Sequence, residues 1–406
     1  MKKTISLVLA LSMVVMSLTA CGNAKTTTDT AKTDATATTT DAAATETTTA
    51  ADGASFMIGG IGPVTGGAAV YGTAVKNGAQ LAIDEINAAG GVNGAQLTFN
   101  FQDDEHDAEK AVNAYNTLKD WNMQILMGTV TSNPCIAVAE ETNKDQVFQL
   151  TPSGSAVQCV QYDNAFRVCF SDPNQGIAAA QYIGTNKVAT KVAVIYDSSD
   201  VYSSGIYEKF ASEAKNQGID IVAAEAFTAD SKTDFTVQIQ KAKDAGAELV
   251  FLPIYYSEAA LILSQADASG YKPMFFGCDG LDGILTVENF DTKLAEGLML
   301  LTPFAADAKD DLTVNFVAAY QKAYNEVPNQ FAADAYDAIY TIKAALEKSG
   351  ATADMSAQDL CAILKTAMTE ISVDGLTGAG MTWTADGEVN KAPKAVKIVN
   401  GVYTAM

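Results

Sequence analysis

The chain has 406 residues and a formal net charge of −22, with 48 acidic against 26 basic side chains. This acidity argues against nucleic acid or an anionic lipid surface as a partner, because either would need a patch of lysine and arginine. The single histidine leaves few general bases for catalysis near neutral pH, so an enzyme is disfavoured.

The N-terminus has the pattern of a secretion signal. Lys2 and Lys3 precede an apolar run from Ile5 to Ala20 that is too short to span a bilayer comfortably. The sequence from Leu18 to Cys21 resembles the processing site of bacterial lipoproteins, which implies a signal peptide over 1–20 and lipidation of Cys21. The alternative is an ordinary secretory signal with an incidental cysteine. Both interpretations predict an extracytoplasmic protein, and the first also predicts anchoring to the cell membrane.

The segment after Cys21 differs in composition from the rest of the chain. Up to residue 53 it consists almost entirely of Thr, Ala, Asp, Lys and Gly, without aromatic residues, Leu, Ile or Val. It cannot bury enough apolar surface to offset the entropy lost on ordering, so residues 21–54 are predicted to be a disordered tether. The remaining residues, about 350, exceed what one hydrophobic core usually serves, which predicts two lobes.

Strand and helix patterns alternate through these residues. Short apolar runs predict strands at 56–61, 96–101, 124–127, 147–150, 192–196, 219–224, 249–252 and 274–276. Apolar residues at helical spacing predict helices at 71–89, 108–121, 206–217, 235–245 and 258–268. This alternation predicts an α/β fold with parallel sheets covered by helices on both faces. Ligands bind beyond the carboxyl ends of such strands.

Two loops at predicted strand ends carry residue types of a binding site. The loop 128–134 ends in Pro134, which we expect to be the first residue of the next helix, and the loop 151–155 follows the next strand. Amides and hydroxyls at helix starts form anion sites, although helix capping by Ser and Asn is the simpler interpretation. Later strand ends contribute Tyr202, Tyr255, Tyr256 and Asp279. From these loops and residues we expect hydroxyl and amide donors for a carboxylate, an acidic partner for an ammonium, and aromatic walls.

Other candidate sites have less support. Gly60 and Gly62 suggest a dinucleotide loop, but Thr65 stands where the motif needs its third glycine. The acidic run 103–107 could bind a metal, yet its position between a strand and a helix favours helix capping.

The five cysteines after Cys21 form no CxxC pair, and most are expected to be small core residues. One pair could form a bridge across a hairpin. The five are Cys135, Cys159, Cys169, Cys278 and Cys361, and the pair is Cys159 and Cys169. No cofactor or metal is predicted.

Several short motifs, in order along the chain, resemble the leucine/isoleucine/valine-binding protein family. They are Ile61-Gly62-Pro63, the run from Gly78 to Gly94, Thr151-Pro152-Ser153, Asp172 to Gly176, Asp279-Gly280 and Ala335 to Ala338. The resemblance covers essentially all of the chain after the tether. It implies a two-lobed type I periplasmic-binding fold with a ligand cleft between the lobes. It also implies a solute-binding protein of an ABC importer rather than an enzyme.

The family pattern, carried over residue by residue, implies an amino-acid ligand. Ser132 and Ser155 would hold its α-carboxylate through amides and hydroxyls. The Ser153 carbonyl, the Ser155 hydroxyl and the Asp279 carboxylate would meet its ammonium. The aromatic residues expected to line the cleft are Tyr71, Tyr202, Tyr255 and Tyr336.

Two departures from the family pattern concern the ligand. Asp279 stands where the best-known members of the family carry glutamate, and Glu105 and His106 occupy the region of one cysteine of a pair that some members form. Both leave the amino-acid interpretation intact but weaken the expectation of a branched aliphatic side chain.

The resemblance also implies how the chain is divided and what it does. Lobe 1 would comprise 55–170 plus 304–377, and lobe 2 would comprise 171–303 plus 378–406. We predict a monomer that captures an amino acid, branched-chain or otherwise apolar, and delivers it to the membrane subunits of an ABC permease. The alternative is a sensory receptor of the same fold that signals to a membrane kinase or chemoreceptor.

Overall fold

The computed structural model describes residues 53–406. The predicted signal peptide, the lipidation site Cys21 and all but the end of the predicted tether lie outside the described residues. Within residues 53–406, no helix is both long enough and apolar enough to cross a membrane.

The first sheet contains five strands with helices between them. In chain order these elements are β1 (Ser55–Gly62), α1 (Ala69–Ala88), β2 (Gln96–Asp103), α2 (Ala108–Asp120), β3 (Ile125–Gly128), α3 (Ser132–Asp145), β4 (Phe148–Thr151) and β5 (Ala165–Arg167). The strands lie in the order β2-β1-β3-β4-β5, and every neighbouring pair is parallel. β3 and β4 are buried along their whole length, as expected for strands covered by helices on both faces.

The second sheet contains seven strands. The elements that follow β5 are α4 (Asp172–Thr185), β6 (Lys191–Asp197), α5 (Val201–Asn216), β7 (Asp220–Phe227), α6 (Thr236–Asp244), β8 (Leu249–Leu252), α7 (Tyr256–Ala268), β9 (Met274–Gly277) and β10 (Met299–Thr302). Three helices come next, α8 (Asp311–Tyr324), α9 (Gln330–Ser349) and α10 (Ala357–Met368), before β11 (Lys394–Val399) and β12 (Val402–Ala405). The order is β12-β11-β10-β9-β8-β6-β7, with β6 to β10 parallel and the last two strands antiparallel.

Helices α9 and α10 return the chain to the first sheet. α9 packs along α1, and α10 lies against β4. Gly78 allows the close approach of α1 to α9, since a Cβ at this position would lie 2.1 Å from the Ala332 carbonyl oxygen. The buried apolar core that includes these helices continues into β6 and β8 of the second sheet. The strand-end loops of both sheets are therefore carried by elements that share one core.

All the predicted strands and helices are present, most of them within about two residues of their predicted ends. Helix α5 begins at Val201, five residues earlier than predicted, because Asp200 accepts a hydrogen bond from the Tyr202 amide and caps the helix. Helix α3 begins at Ser132, so Pro134 is its third residue rather than its first. The extended backbone of Thr131 sets this earlier start.

The five cysteines within residues 53–406 are all free and buried. No bridge therefore joins Cys159 to Cys169, although the sequence left that pairing open. Cys135 and Cys159 pack with Ala156 in a small apolar cluster beside α3. These side chains fill space in the core, as small residues with a weak donor commonly do.

Within the described residues the chain passes between the sheets after β5, after β10 and before β11. The segment before the last of these passages lies beside the first sheet. The Trp383 Nε1 donates to the Arg167 carbonyl at 2.7 Å, and the Arg167 amide donates to the Gly387 carbonyl at 3.0 Å. These contacts join the segment to the end of β5 in the first sheet. The predicted division into lobes stays a prediction.

Lys391 forms a buried ion pair at this last passage. Its Nζ lies 2.8 Å from Asp334 Oδ1 and also donates to the Thr377 hydroxyl. Burial raises the pKa of Asp334 to about 6, and the Lys391 charge opposes this rise. The pair connects helix α9 to the segment that enters β11.

We expect Lys391→Met to lower the free energy of unfolding by about 3–5 kcal/mol, since it leaves the Asp334 carboxylate buried without a partner. Urea unfolding measures this change. The control is Lys343→Met, which removes an exposed pair with Glu347 on α9, the helix that carries Asp334. This control should lower the free energy of unfolding by less than about 1 kcal/mol. Equal small losses in both variants would contradict a role for the buried pair.

Candidate ligand-binding site

A cavity lies where the strand-end loops of the two sheets meet. The first sheet contributes the loops after β3 and β4, and the second contributes the loops after β8 and β9. The lining residues are Tyr71, Val130, Thr131, Ser132, Ser153, Ser155, Tyr202, Tyr255, Asp279, Gly280 and Phe331. The structure thus brings together seven of the eight residues that the sequence assigned to the ligand.

Tyr336 is the exception. Its hydroxyl donates to the Glu85 carboxylate, and its ring packs edge-on against Phe316 with a centroid distance of 4.9 Å. These contacts lie between α9 and the helices α1 and α8, so the prediction that Tyr336 lines the cavity is wrong. Phe331, from the first turn of the same helix, lines it instead. Nothing in the sequence distinguished Phe331 as a site residue.

The N-terminus of α3 forms the polar end of the cavity. The first helical hydrogen bond runs from the Cys135 amide to the Thr131 carbonyl, so the amides of Ser132 and Asn133 have no acceptor within the helix. The Thr131 side chain does not cap them. Its hydroxyl instead pairs with His106 Nδ1 at 2.8 Å. The helix start therefore offers N–H donors and a favourable dipole to an anion.

The second loop, after β4, is held by Arg167, the only arginine of the chain. Its guanidinium is fully buried and donates to the carbonyls of Gly154, Ser155 and Ala156. These three contacts fix the backbone of the loop that carries Ser155. The sequence alone indicates no role for Arg167.

Hydrogen bonds also join this second loop to the first. Ser153 Oγ donates to the Val130 carbonyl at 2.7 Å, and Thr151 Oγ1 donates to the Thr129 carbonyl at 2.6 Å. The Ala156 amide donates to Ser132 Oγ at 3.2 Å. The hydroxyl groups of Ser153 and Thr151 are thus engaged by the protein, and the two loops form one polar surface.

Asp279 provides the acidic group of the cavity. Its Oδ1 accepts hydrogen bonds from the Tyr202 hydroxyl at 2.7 Å and from the Gly280 amide at 2.8 Å. Burial raises the pKa of this carboxyl to about 6, and the bond from Tyr202 opposes the rise. Gln330, from the start of α9, donates to the Asp279 carbonyl at 2.8 Å. Tyr202 and Gly280 therefore orient the carboxylate, and Gln330 holds the backbone of the same residue.

The aromatic walls present ring surfaces rather than free hydroxyls. The Tyr71 hydroxyl donates to the Gly280 carbonyl and accepts from the Tyr256 amide. The Tyr202 hydroxyl is bonded to Asp279. Burial and the nearby Asp200 charge raise the pKa of the Tyr255 hydroxyl. Tyr255 stacks on Tyr202 with ring centroids 4.9 Å apart. The cavity walls are therefore apolar wherever these rings face it.

The acidic run 103–107 caps helix α2. Asp107 accepts from the Lys110 amide at 2.9 Å, and Asp103 accepts from the Val64 amide at 2.9 Å. This confirms the capping interpretation. Across residues 53–406, no group of three or more His, Cys, Asp or Glu side chains is arranged to hold a metal ion.

The fold and the cavity match a known family. A family model described as periplasmic binding protein matches residues 55–401. The chain belongs to the periplasmic binding protein family. It is 31% identical over 306 residues to a Leu/Ile/Val-binding protein homolog of Brucella melitensis, covering 75% of this chain and 82% of the relative. It is 32% identical over 292 residues to the leucine-, isoleucine-, valine-, threonine- and alanine-binding protein of Pseudomonas aeruginosa, covering 71% and 77%.

Solved structures of periplasmic binding proteins agree with this assignment. The branched-chain amino acid transporter substrate-binding protein LivJ of Streptococcus pneumoniae, in complex with isoleucine, superimposes with a TM-score of 0.79. The two chains are 29% identical, and the match covers 86% of this chain and 98% of LivJ. A Rhodopseudomonas palustris solute-binding protein in complex with 4-hydroxybenzoate shares the fold, with a TM-score of 0.76 and 16% identity. The chain is thus a member of a solute-binding family of branched-chain amino-acid ABC transporters, which confirms that it is not an enzyme.

The Arg167 contacts can be tested through stability. A lysine at this position keeps one charge but cannot donate to three carbonyls in a fork. We expect Arg167→Lys to lower the free energy of unfolding by at least about 2 kcal/mol, because buried carbonyls lose charge-assisted hydrogen bonds. Urea unfolding gives the value. Lys144→Ala, which removes an exposed pair with Glu141, is the control and should change stability by less than about 1 kcal/mol. An Arg167→Lys protein as stable as wild type would contradict this account of the loop.

Proposed function

We propose that the protein captures an apolar α-amino acid between its two sheets and delivers it to an ABC permease. The observation that carries this proposal is the pairing, in one cavity, of an uncapped helix N-terminus with a buried carboxylate. The amides at the start of α3 suit the α-carboxylate, and Asp279 suits the α-ammonium. A zwitterion satisfies both ends at once.

The charge requirement is strict because polar groups that line the cavity, Asp279 and Ser155 among them, are buried. An ammonium taken out of water without a partner costs several kcal/mol, and Asp279 is the acidic residue that lines the cavity. Serine side chains and backbone amides can hold the carboxylate without a buried lysine or arginine at the cavity wall, as a helix N-terminus supplies the positive potential. A neutral sugar or a simple carboxylate would leave one of these groups unsatisfied.

The side chain of the ligand is expected to be apolar. The Tyr71 and Tyr202 hydroxyls at the cavity are bonded to protein groups, so these residues offer ring surface rather than donors to a ligand. Val130 and Phe331 add further apolar surface. The names of the relatives, which include leucine, isoleucine and valine, agree with this expectation.

Binding is proposed to stabilise the closed arrangement of the two sheets. The polar loops come from the first sheet, whereas Asp279 and Tyr255 come from the second, so one ligand bridges both. Direct contacts across the gap support the same arrangement. Asn133 lies 3.4 Å from Asp200, and the Gln330 amide donates to the Asp282 carboxylate at 2.9 Å. A permease that recognises the closed form then distinguishes loaded from empty protein.

We also propose that lipidated Cys21 anchors the protein outside the cytoplasm. The motif that ends in Cys21 and the polar composition of residues 22–53 support this, because a tether of that kind lets the binding domain reorient near a membrane. We further propose that the protein acts as a monomer.

Cys21→Ala tests the anchor. The variant should be released into the medium or the periplasm, while its affinity for the ligand stays nearly unchanged because the tether separates the lipid from the cavity. Cell fractionation and calorimetry measure the two properties. Retention of the variant in the membrane at the wild-type level would count against lipidation.

The pH dependence of binding tests Asp279. Only the ionised carboxylate attracts the ammonium, and its pKa in the empty cavity is raised to about 6. Affinity should therefore be complete above about pH 7 and fall by roughly tenfold per unit as the pH drops below 6. Asp279→Asn should weaken binding by about 2–5 kcal/mol and flatten this dependence.

Calorimetry against a panel of amino acids gives these values, with Tyr255→Ala as the control. That variant removes wall area rather than a charge, so it should lose less affinity and keep the pH dependence. Normal binding by Asp279→Asn would refute the zwitterion site.

A further inference from the structure

His106, the single histidine of the chain, contacts two cavity residues without being one of them. It lies in the loop between β2 and α2. Its Nδ1 lies 2.8 Å from the Thr131 hydroxyl, and its ring packs edge-on against Tyr255 with a centroid distance of 5.3 Å. Thr131 follows β3 of the first sheet, and Tyr255 follows β8 of the second. The imidazole is therefore in contact with cavity residues from both sheets.

The loop holds this imidazole at a cost to its backbone. Glu105 and His106 have φ angles of 50° and 61°, in the left-handed region that residues other than glycine adopt uncommonly. The His106 amide donates to Asp104 Oδ1 at 2.9 Å, which fixes the turn. Backbone conformations of this kind cost free energy and are concentrated at functional sites. A role for the imidazole in the adjacent cavity would account for the conformation of this loop.

Thr131 has the position and the backbone of a helix cap. It precedes α3, and its φ of −107° and ψ of 154° are extended, as is typical of an N-cap residue. A threonine there ordinarily accepts a hydrogen bond from the amide two or three residues further on. Pro134 is the third residue of α3 and has no amide proton, so the donor left for such a cap is the Asn133 amide. Thr131 makes no capping bond, and its hydroxyl pairs with His106 instead.

The pairing with His106 leaves the start of α3 open to a ligand. A Thr131 oxygen bonded to the Asn133 amide would occupy one of the donors that the α-carboxylate of a ligand needs. Two acceptors that compete for one N–H group each bind it more weakly. The imidazole removes this competitor in either tautomer, because Nδ1 can donate to the hydroxyl or accept from it.

We propose that His106 is a positioning residue that keeps the Thr131 hydroxyl from capping α3, so that the amides there stay free for the ligand's α-carboxylate. The inference rests on the proposed amino-acid function and adds to it a residue outside the cavity lining. His106 acts through Thr131 rather than by touching the ligand. It thereby contributes to the selection of carboxylates over uncharged ligands of the same shape.

The test compares leucine with leucinamide, which has a neutral carboxamide in place of the carboxylate, in calorimetric titrations. Wild type should bind leucine more tightly. His106→Phe keeps an aromatic ring beside Tyr255 but removes Nδ1, so the Thr131 hydroxyl is free to cap the helix. Leucine affinity should then fall by roughly 10- to 100-fold, the range for one hydrogen bond to a charged group. Leucinamide affinity should fall by about threefold at most, because neutral hydrogen bonds are weaker.

A double-mutant cycle shows whether His106 acts through Thr131. Thr131→Val removes the hydroxyl, so in that background His106→Phe should change leucine affinity by less than about threefold. This cycle also separates the proposed role from a distortion of the loop, because a distortion would lower affinity in both backgrounds.

Two further variants at position 106 test the nitrogen itself. His106→Gly suits the positive φ and should show the same loss of leucine affinity as His106→Phe, whether or not the bulkier variant folds. His106→Asn also tolerates this φ and carries a polar atom as many bonds from the backbone as Nδ1. It should bind leucine within about threefold of wild type, since the Thr131 hydroxyl keeps a partner. The matched control is Glu105→Gln, which breaks an exposed pair with Lys110 in the same loop and should keep the wild-type affinity and preference.

The results distinguish the possible failures. Equal binding of leucine and leucinamide by wild type would overturn the proposed function together with this inference. Wild-type affinity for leucine in His106→Phe or His106→Gly would overturn the inference alone. An equal loss with and without the Thr131 hydroxyl, or an equal loss in His106→Asn, would also overturn it, because His106 would then act by another route.

Discussion

The buried guanidinium of Arg167 is the interaction on which the site depends. It lies at the end of β5, where the chain leaves the first sheet, and it holds the carbonyls of the loop that carries Ser155. Its own carbonyl accepts from Trp383, in the segment that later returns to the second sheet. One residue thus joins a cavity loop to two of the passages between the sheets, and it does so without occupying the cavity.

The distribution of charge follows from this arrangement. The chain has a large acidic excess, yet its one arginine is fully buried and its buried lysine, Lys391, pairs with Asp334. The cavity itself is lined by one carboxylate and by neutral donors. Such a site suits a ligand that brings its own positive charge to Asp279 and its own negative charge to the start of α3. Arg167 and Lys391 are buried outside the cavity, so neither competes with the ligand's ammonium for Asp279.

Much of this could be predicted from sequence because the signals are local. Strands that are buried on both faces appear as short apolar runs, and the loops after them hold the polar residues that the cavity uses. The order of the strand ends grouped the two polar loops with Tyr202 and Asp279, and the family resemblance singled out Ser132 and Ser155 within those loops. Glycine at position 78 is explained only by the structure, because the need for it comes from the backbone of α9.

The errors arose where the outcome depends on the rotation of a helix or on distant partners. Tyr336 and Phe331 are five residues apart on α9, and at about 100° per residue they project in widely different directions. The motif around Tyr336 therefore identified the helix but not the face that meets the cavity. The role of Arg167 depends on carbonyl groups, which every residue has, so no side-chain pattern could reveal it.

The most direct test of the central claim is a crystal structure of the protein with leucine bound. The account predicts the ammonium within about 3 Å of the Asp279 carboxylate and of Ser155 Oγ, with the α-carboxylate on the amides of Ser132 and Ser155. The side chain should lie against the rings of Tyr71, Tyr255 and Phe331. A ligand bound in the reverse orientation, or bound outside this cavity, would contradict the account.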